Sequence, residues 1–262
     1  MSLRSIIESG KLIHIRDLLF TLVARDMKLR YKRSILGIAW SLLTPLAQLA
    51  VYYLVFKVLL PLNVPNYVAF LFSGVLVWGW FQMSLFQATT AIVDNRELVK
   101  RTGFPAAILP TVTVTSHLIH FLVALPILFV LLVLGGTQIT SAILALPLVI
   151  AIQFILTLSL AYFTATFYVA FRDTQYLLGV LLNLLFFLTP IFYQASALPA
   201  KYQTLYHLNP MVHIVEFYRT ILLSGKLPDV SALLFLTIPT IVILLLGYHV
   251  FVRASSHFVD EL

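Results

Sequence analysis

The chain has 262 residues, of which 61% are hydrophobic and only 10% are charged, with a net charge of +7 and no cysteine. Soluble domains carry roughly a quarter charged residues, so this composition excludes an ordinary soluble enzyme or binding domain. The lack of cysteine excludes disulfides and thiolate metal sites. The apolar runs are continuous instead of alternating, which favours membrane helices over a β-barrel. The predicted fold class is therefore an all-α polytopic membrane protein.

Six apolar runs are predicted to span the membrane. A span needs about 20 mostly apolar residues to cross a hydrocarbon core of about 30 Å. The predicted spans lie near residues 35–60, 67–93, 108–134, 142–171, 175–193 and 230–252. They divide the chain into a cytoplasmic N-terminal segment (1–34), a six-span domain (35–253) and a short cytoplasmic tail (254–262). No cleavable signal peptide is expected, because the first residues carry mixed charge and lack an apolar core.

The positive charges predict the orientation of these spans. Thirteen of the 17 Lys and Arg residues fall on one side if the spans alternate. The exceptions are Lys57, Lys201, Arg219 and Lys226. The positive-inside rule therefore predicts that both termini are cytoplasmic. Because topology explains the net charge, no nucleic-acid partner is inferred from it.

The N-terminal segment is predicted to contain an amphipathic helix. Apolar residues recur at helical spacing from Ile15 to Val23, while basic residues fall mainly on the opposite face. A helix of this kind lies in the membrane interface with its basic face toward the lipid headgroups. The alternative interpretation is an ordinary basic flank of the first span.

A charged island, residues 94–105 with the sequence DNRELVKRTGFP, separates the second and third predicted spans. Ions are costly in hydrocarbon, so the island must lie in water or against another protein. Asp94 or Asn95 can cap a helix there, and Gly103 followed by Pro105 can end it. The pattern predicts a two-turn helix across the cytoplasmic face, and the alternative is a solvated connector. Three apolar side chains are expected to be available to a groove, namely Leu98, Val99 and Phe104.

Two histidines, His117 and His120, lie three residues apart on one face of the third predicted span. A metal or proton-transfer role needs further ligands, and this span contains no carboxylate or cysteine. Hydrogen bonding across a helix contact is therefore favoured. No metal site is predicted in the chain.

The longest connection between predicted spans, residues 194–229, contains a second apolar helix. Asn209 and Pro210 form a helix start, and Gly225 is a stop. About 13 residues make ~20 Å of helix, which is too short to cross a bilayer. The helix is expected to dip into the outer leaflet, with Glu216 and Arg219 as an i, i+3 pair. The alternative is a periplasmic surface helix.

Three function classes fit such a bundle: a transporter, a channel and a membrane enzyme. The enzyme class is weak, because no HExxH motif, paired intramembrane carboxylates or nucleophile motif occurs. Ion-driven transporters usually carry an intramembrane charge, and the predicted spans hold no acid except Asp94 at an edge. An ATP-binding loop of the form GxxxxGKS or GxxxxGKT is also absent. Any ATPase that drives this chain must therefore be a separate protein acting on a cytoplasmic feature.

Six segments occur in an order that resembles one transporter family. They are RDMKLRYKRSILGIAWSLLTP at 25–45, SGVLVWGWF at 73–81, NRELVKRTGFPAAILP at 95–110, FRDTQY at 171–176, TPIFY at 189–193 and NPMVHIVEFYR at 209–219. In this order they resemble the permease subunit of bacterial polysaccharide exporters, the type-2 export class of ABC transporters that includes O-antigen, capsule and teichoic-acid permeases. The resemblance covers nearly the whole chain and is weakest over the first 20 residues.

This resemblance implies a homodimer of six-span subunits in the lipid bilayer of the bacterial inner membrane. It also implies two copies of a separate nucleotide-binding subunit, which bind ATP and Mg²⁺, so that this chain itself holds no cofactor. The implied cargo is a lipid-linked glycan that moves from the cytoplasm to the periplasm. The alternatives are a type-2 ABC exporter of a drug or simple lipid, a passive channel, and a membrane-embedded enzyme.

Candidate site residues follow from the same resemblance. The island corresponds to a coupling helix seated in the ATPase, with Asn95, Arg96, Glu97, Leu98, Val99, Lys100, Arg101 and Phe104. The N-terminal helix corresponds to an interface helix, with Arg25, Lys28, Arg30, Tyr31 and Arg33. Residues 210–223 correspond to an outer gate, with Pro210, His213, Glu216 and Arg219 as its candidates. The role of Arg172 and Asp173, in the FRDTQY segment, stays open.

Aromatic side chains are the candidates for the lining of a glycan path. Aromatic faces give the C–H surfaces of a sugar nonpolar contact without locking the polymer in one register. The candidates are Tyr52, Tyr53, Phe56, Trp78, Phe167, Tyr168 and Phe192. The alternative for each of them is an interfacial anchor at the end of a span.

Overall fold

The computed structural model describes residues 3–59, 64–194 and 200–262, and over these ranges the ordered elements are all helical. The α-helices are α1 (Leu3–Tyr31), α2 (Trp40–Tyr53), α3 (Tyr67–Asp94), α4 (Arg96–Val99), α5 (Ile108–Leu134), α6 (Leu146–Ala170), α7 (Thr174–Leu188), α8 (Ala200–His207), α9 (Pro210–Leu222), α10 (Val230–Ser255) and α11 (Phe258–Glu261). Short 3₁₀ segments precede α2 and α6, at Gly37–Ala39 and Ser141–Ala145, and the π-helical segment Leu54–Leu59 continues α2. The predicted all-α fold class is thus confirmed for the described residues.

Five helical segments in the described ranges are long and apolar enough to cross a membrane. They are Gly37–Leu59, Tyr67–Asp94, Ile108–Leu134, Ser141–Ala170 and Val230–Ser255. They correspond to the first four predicted spans and the last one, although residue 60, the predicted end of the first span, lies outside the described ranges. These helices identify a polytopic membrane protein.

The predicted span at 175–193 corresponds to α7, a shorter apolar helix of 15 residues. It ends at Leu188, and Thr189 has extended backbone angles (φ −102°, ψ 141°). Pro190 accounts for this end, because a proline disfavours helical backbone at the preceding residue. The carbonyl groups that follow are consequently released from helical hydrogen bonding and become available to other partners.

Helix α3 is the centre of the bundle and packs against α2, α5, α6, α7 and α9. In its most apolar window 78% of the residues are buried, against 17% for α10. A polar contact links α6 to this central helix, because Gln153 donates through Nε2 to the Val77 carbonyl at 2.9 Å. Because the other spans bury a smaller share of their residues than α3 does, they present much of their apolar surface outward.

The predicted N-terminal amphipathic helix is present as α1, which packs against α5. Leu22 and Val23 are buried, whereas Arg25 and Lys28 on the same helix are exposed. The apolar stripe is therefore confirmed toward the C-terminal half of α1. Ile15, nearer the start, remains exposed.

The predicted 13-residue helix after Asn209 is present as α9. Asn209 caps it, because its Oδ1 accepts from the Met211 amide at 3.0 Å, and Gly225 follows it with a φ of +62°. Most of its residues are buried against α3 and α6, so the alternative of a surface helix is wrong. A contact of Arg219 with Phe70, near the start of α3, places α9 at the end of the bundle opposite the charged island.

Candidate functional site

The charged island contains a single helical turn, α4, of four residues. The prediction of a two-turn helix is wrong in length, and so is the expected side-chain cap. Asn95 Nδ2 donates to the Ala91 carbonyl at 2.9 Å, while Asp94 Oδ2 accepts from Thr90 Oγ1 at 2.6 Å. Both side chains therefore turn back onto α3 instead of onto α4. Gly103, with a φ of +78°, lies in the turn that follows, where the sequence predicted a stop.

The side chains of the island divide into an inner apolar set and an outer charged set. Val99 is buried, and Leu98 and Phe104 pack against the hydrophobic core. Val99 is therefore not available to a partner, whereas Leu98 and Phe104 are partly exposed as well as packed against their own chain. The outward set consists of Arg96, Glu97, Lys100 and Arg101, and the Glu97 side chain is 84% exposed.

The C-terminal helix α11 supports the island, because it packs against both α4 and α6. Phe258 on α11 is only 3% exposed, and its ring lies 5.3 Å from that of Phe251 on α10. Two elements that are distant in sequence therefore fix the position of α4. The C-terminal tail is too short to show a hydrophobic periodicity, so the sequence does not predict this contact.

The predicted interface helix contacts the island directly. Arg25 Nη2 on α1 donates to Asn95 Oδ1 at 3.3 Å. Arg30 Nη2 donates to Gln87 Oε1 on α3 at 2.6 Å and forms an ion pair with Asp26 at 3.5 Å. The structure thus brings together Arg25 and Asn95 from two separately predicted sites. Lys28 is exposed, and Arg33 is exposed in the turn after α1, with a φ of +65°.

The two histidines of α5 hydrogen-bond across helix contacts, as predicted. His117 Nε2 lies 3.0 Å from Gln87 Oε1 on α3, and His120 Nδ1 lies 3.1 Å from the Tyr31 hydroxyl on α1. Ser41 on α2 joins the second group, with Oγ 3.1 Å from His120 Nδ1. A cavity of about 380 Å³ beside these side chains is lined by residues of α1, α2, α3 and α5. The polar network therefore connects the interface helix to the centre of the bundle.

Four of the seven predicted path-lining aromatics meet in one cluster. Phe56 and Phe192 stack with ring centroids 4.4 Å apart and an interplanar angle of 1°. Phe186, on α7, lies 5.7 Å from Tyr52 and 5.9 Å from Trp78, and it contacts Phe192 as well. We call Tyr52, Phe56, Trp78, Phe186 and Phe192 the aromatic cluster. Phe186, which links the others, was not singled out by the sequence, because only the fold shows which face of α7 it occupies.

The other predicted aromatics lie elsewhere. Tyr53 contacts Tyr67 at a centroid distance of 6.3 Å. Phe167 is 50% exposed near the end of α6, and the Tyr168 ring there lies 5.1 Å from the Arg172 guanidinium carbon. The end of α6 is on the island side of the bundle, since α11 contacts both α6 and α4. The structure therefore separates Phe167 and Tyr168 from the aromatic cluster.

Arg219, a candidate for the outer gate, is buried and hydrogen-bonded to backbone. Its Nη2 donates to the carbonyls of Phe70 and Ile191 at 3.1 and 2.8 Å, and its Nη1 donates to Pro190. Its guanidinium also lies over the Phe70 ring, at 3.4 Å from the centroid. The ion pairs within the described part of the chain do not include the predicted pair with Glu216, so that prediction is wrong. Arg219 satisfies the carbonyls that the end of α7 releases.

Two exposed polar side chains were not among the predicted site residues. Asn183 is exposed on the apolar helix α7, and Gln48 is exposed on α2, where it lines the cavity beside His117 and His120. An amide left in hydrocarbon without a partner costs several kcal/mol by order of magnitude. The sequence feature that could have marked these two positions as candidates is a polar residue in the middle of an apolar run. Their exposure became visible only in the structure.

A bundle of membrane-crossing helices with an anchored, outward-charged island at one end is the architecture of a polytopic membrane protein. The chain belongs to the ABC-2 type transporter family, whose sequence pattern matches residues 17–223.

Relatives of known name match it over nearly its full length. It is 36% identical over 254 residues to the O-antigen export system permease protein RfbA of Myxococcus xanthus, a match that covers 96% of this chain and 98% of the relative. It is 30% identical over 251 residues to a Klebsiella pneumoniae protein of the same name, covering 95% and 96%. It is 24% identical over 229 residues to the polysialic acid transport protein KpsM of Escherichia coli, covering 86% and 89%.

Proposed function

We propose that this chain is the membrane-spanning subunit of an ATP-driven exporter that moves a lipid-linked polysaccharide of the O-antigen kind from the cytoplasm to the periplasm. Family membership and the full-length similarity to permeases of O-antigen export support this cargo class. The observation that carries the mechanism is the island, whose apolar side chains are held by the chain's own core while its charges project outward. Such a feature can receive force without being deformed by it.

ATP and Mg²⁺ bind to a separate nucleotide-binding subunit, present in two copies, and this chain holds no cofactor. Arg96, Glu97, Lys100 and Arg101 form the surface that contacts that subunit, because they are the exposed residues of the island. Asn95 and the apolar residues Leu98, Val99 and Phe104 hold this surface in place. The Arg25–Asn95 hydrogen bond passes displacement of the island to α1, where Lys28, Arg30 and Tyr31, with Arg33 in the turn that follows, complete the interface segment.

Two copies of the chain enclose the path in the bacterial inner membrane. Each copy crosses the membrane six times and has both termini in the cytoplasm. The 15 residues of α7 make about 22 Å of helix at 1.5 Å per residue, and the following residues to Tyr193 complete the fifth of the six crossings. Asn183 on the exposed face of α7 supports this arrangement. A second copy or a water-filled path satisfies its amide, whereas lipid does not.

The aromatic cluster lies where such a path leaves the bundle on the side opposite the island. Trp78 and Phe192 are nearly buried and support the cluster, while Tyr52 and Phe56 are half-buried and can present their rings to a sugar. Tyr53, Phe167 and Tyr168 are separate contact points along the path. The gate at this end consists of α9, with Pro210, His213, Glu216 and Arg219, and its burial against α3 ties it to the central helix.

The test is charge reversal on the island, by Glu97→Arg. Because like-charge juxtaposition at an interface costs several kcal/mol, ATP hydrolysis coupled to export in proteoliposomes should fall about tenfold or more. The 84% exposure of Glu97 means that insertion and folding should be unaffected. Glu261→Arg is the matched control, because it makes the same charge change on an exposed residue of α11 at the same end.

The complex purified with its ATPase chain should also contain a lipid-linked glycan. Unchanged coupling in Glu97→Arg refutes the role of the island. A copurified drug or simple lipid in place of the glycan refutes the cargo, and the two results are independent of each other.

A further inference from the structure

Three side chains that can ligate a metal converge where α8 meets α9. One imidazole nitrogen each from His207 and His213 and a carboxylate oxygen of Glu216 lie within 4.8 Å of one another. His213 and Glu216 are three residues apart and therefore share one face of α9. His207 is the last residue of α8, so two different helices supply the set.

The rings of this cluster are held by their surroundings. His213 Nε2 hydrogen-bonds to the His207 backbone carbonyl at 2.8 Å, and the His213 ring lies 6.0 Å from the Phe235 ring on α10. A carbonyl that accepts from one ring nitrogen sets the tautomer, which leaves the lone pair of the other nitrogen for a metal ion. This second contact is typical of metal-ligating histidines.

The nearest basic residue on the same helix, Arg219, lies within electrostatic range of Glu216 but forms no ion pair with it among the described residues. Arg219 lies one turn after Glu216, but its guanidinium donates to the carbonyls of Phe70, Pro190 and Ile191. The carboxylate is half-buried, whereas His207 is exposed. The cluster thus combines a half-buried carboxylate and a hydrogen-bonded imidazole with one exposed imidazole at a helix end.

We propose that His207, His213 and Glu216 bind one Zn²⁺ ion. Two imidazoles and one carboxylate are an established zinc ligand set that leaves a fourth position for water. Zinc bonds of about 2.0–2.1 Å in a tetrahedron place ligand atoms roughly 3.3 Å apart, so the set must contract modestly from its present separations. Ca²⁺ and Mg²⁺ fit poorly, because they require six or more oxygen ligands, including water.

Zn²⁺ at this point ties α8 to α9 across the short turn between them. Since α9 is bonded through Arg219 to the start of α3, the ion connects the whole 200–207 helix to the central helix of the bundle. This inference does not depend on the identity of the cargo or on the ATPase.

Zinc binding can be measured on the purified full-length protein after treatment with a chelator. Titration of Zn²⁺ against a chromogenic competitor should give one site per chain. Loss of a direct ligand, by His213→Ala or Glu216→Gln, should weaken binding at least about tenfold, since loss of even an outer-shell partner costs 10–100-fold. His257→Ala is the control, because His257 is an exposed histidine on the other side of the bundle.

Co²⁺ provides a spectroscopic test of the ligands. The chain has no cysteine, so visible absorption of bound Co²⁺ can arise only from nitrogen and oxygen ligands. His207→Asn, a change at an exposed helix end, should remove this absorption without disturbing the buried part of α9. Absence of a stoichiometric Zn²⁺ site in the parent protein, or equal affinity in the parent and His207→Asn, overturns the proposal.

Discussion

Arg219 combines burial, charge and a backbone break in one residue. The residue is 8% exposed, and its guanidinium donates to three carbonyls, two of which belong to the segment after α7. A planar fork of N–H groups is suited to several acceptors at once, and here Nη1 and Nη2 have acceptors while Nε has none among the described residues. Pro190 ends α7, and Arg219 satisfies the carbonyls that this end releases. The two residues therefore depend on each other.

Gly74 leaves the space that Arg219 occupies, and this predicts a difference between two glycines of α3. A Cβ at Gly74 would lie 2.9 Å from Arg219 Nη2 and 3.1 Å from the Ile191 carbonyl oxygen, whereas nothing lies within 4 Å of a Cβ at Gly79. Gly74→Ala should lower the thermal unfolding midpoint, because it displaces charge-assisted hydrogen bonds worth about 1.5–3 kcal/mol each. The measurement is unfolding of the purified protein in detergent by intrinsic fluorescence.

Gly79→Ala is the matched control, on the same helix. It should be neutral or stabilising by up to about 1 kcal/mol, since alanine favours helix over glycine. Equal midpoints for the two variants mean that the position of Arg219 is not constrained by Gly74.

Residue roles that depend on neighbours in sequence could be predicted, and those that depend on distant neighbours could not. The cap at Asn209 and the stops at Gly103 and Gly225 are local, because a short side chain and a positive φ need only adjacent backbone. Asn95 has the same side chain as Asn209 but bonds back to Ala91 and to Arg25. Nothing near Asn95 in the sequence indicates that α1 lies beside it.

Among the helices, α4 and α11 show how short elements acquire a fixed position. Neither is stable alone, because isolated helices of a few residues do not form in water. Packing of Val99 into the core and of Phe258 against Phe251 holds the two together at one end of the bundle. The position of the island is consequently set by both elements.

Loss of the Phe258 ring should loosen the island. Phe→Ala in a packed site costs roughly 3–5 kcal/mol, and local opening grows accordingly. Limited trypsin digestion should cleave after Lys100 and Arg101 at least about tenfold faster in Phe258→Ala, as followed by mass spectrometry of the fragments. Val259→Ala, at a 50% exposed position next in sequence, is the control and should digest like the parent. Identical cleavage rates in both variants contradict the support of α4 by α11.

The length of each apolar run predicted that a membrane helix exists there. The residues at which the helices end were less predictable. The four longest runs after the N-terminal segment appear as helices near their predicted bounds. For α7, the apolar run continues to Tyr193 but the helix stops at Leu188, because backbone geometry at Pro190 outweighs hydrophobicity. The island was predicted as two turns because its caps were assigned to the wrong partners.

On the scale of the whole molecule, the outer surface of a single chain is not uniformly suited to lipid. α10 exposes Leu245 and its apolar neighbours, whereas α7 exposes Asn183 among leucines and valines. The first surface is compatible with hydrocarbon. The second implies contact with protein or water, which a second copy of the chain provides in the proposed dimer.

The absence of cysteine allows this difference to be tested with a single introduced thiol. Asn183→Cys should react with a membrane-impermeant maleimide or form a disulfide-linked dimer in membranes, because α7 faces water or its own copy. Leu245→Cys, at a 64% exposed position on α10, is the lipid-facing control and should do neither. If Asn183→Cys behaves like Leu245→Cys, α7 faces lipid and the proposed arrangement is incorrect.

The hydrogen bond between Arg25 and Asn95 joins α1 to the island, which is the proposed contact surface for the nucleotide-binding subunit. The exposed Lys28 and Arg33 beside it are attracted to acidic phospholipids, at about 1 kcal/mol per basic side chain near such a surface. In the proposed exporter, headgroup composition would therefore bias the tilt of α1, and with it the angle between the island and the nucleotide-binding subunit. The proposed mechanism thus makes transport sensitive to the lipid composition of the leaflet, through two residues 70 positions apart in the chain.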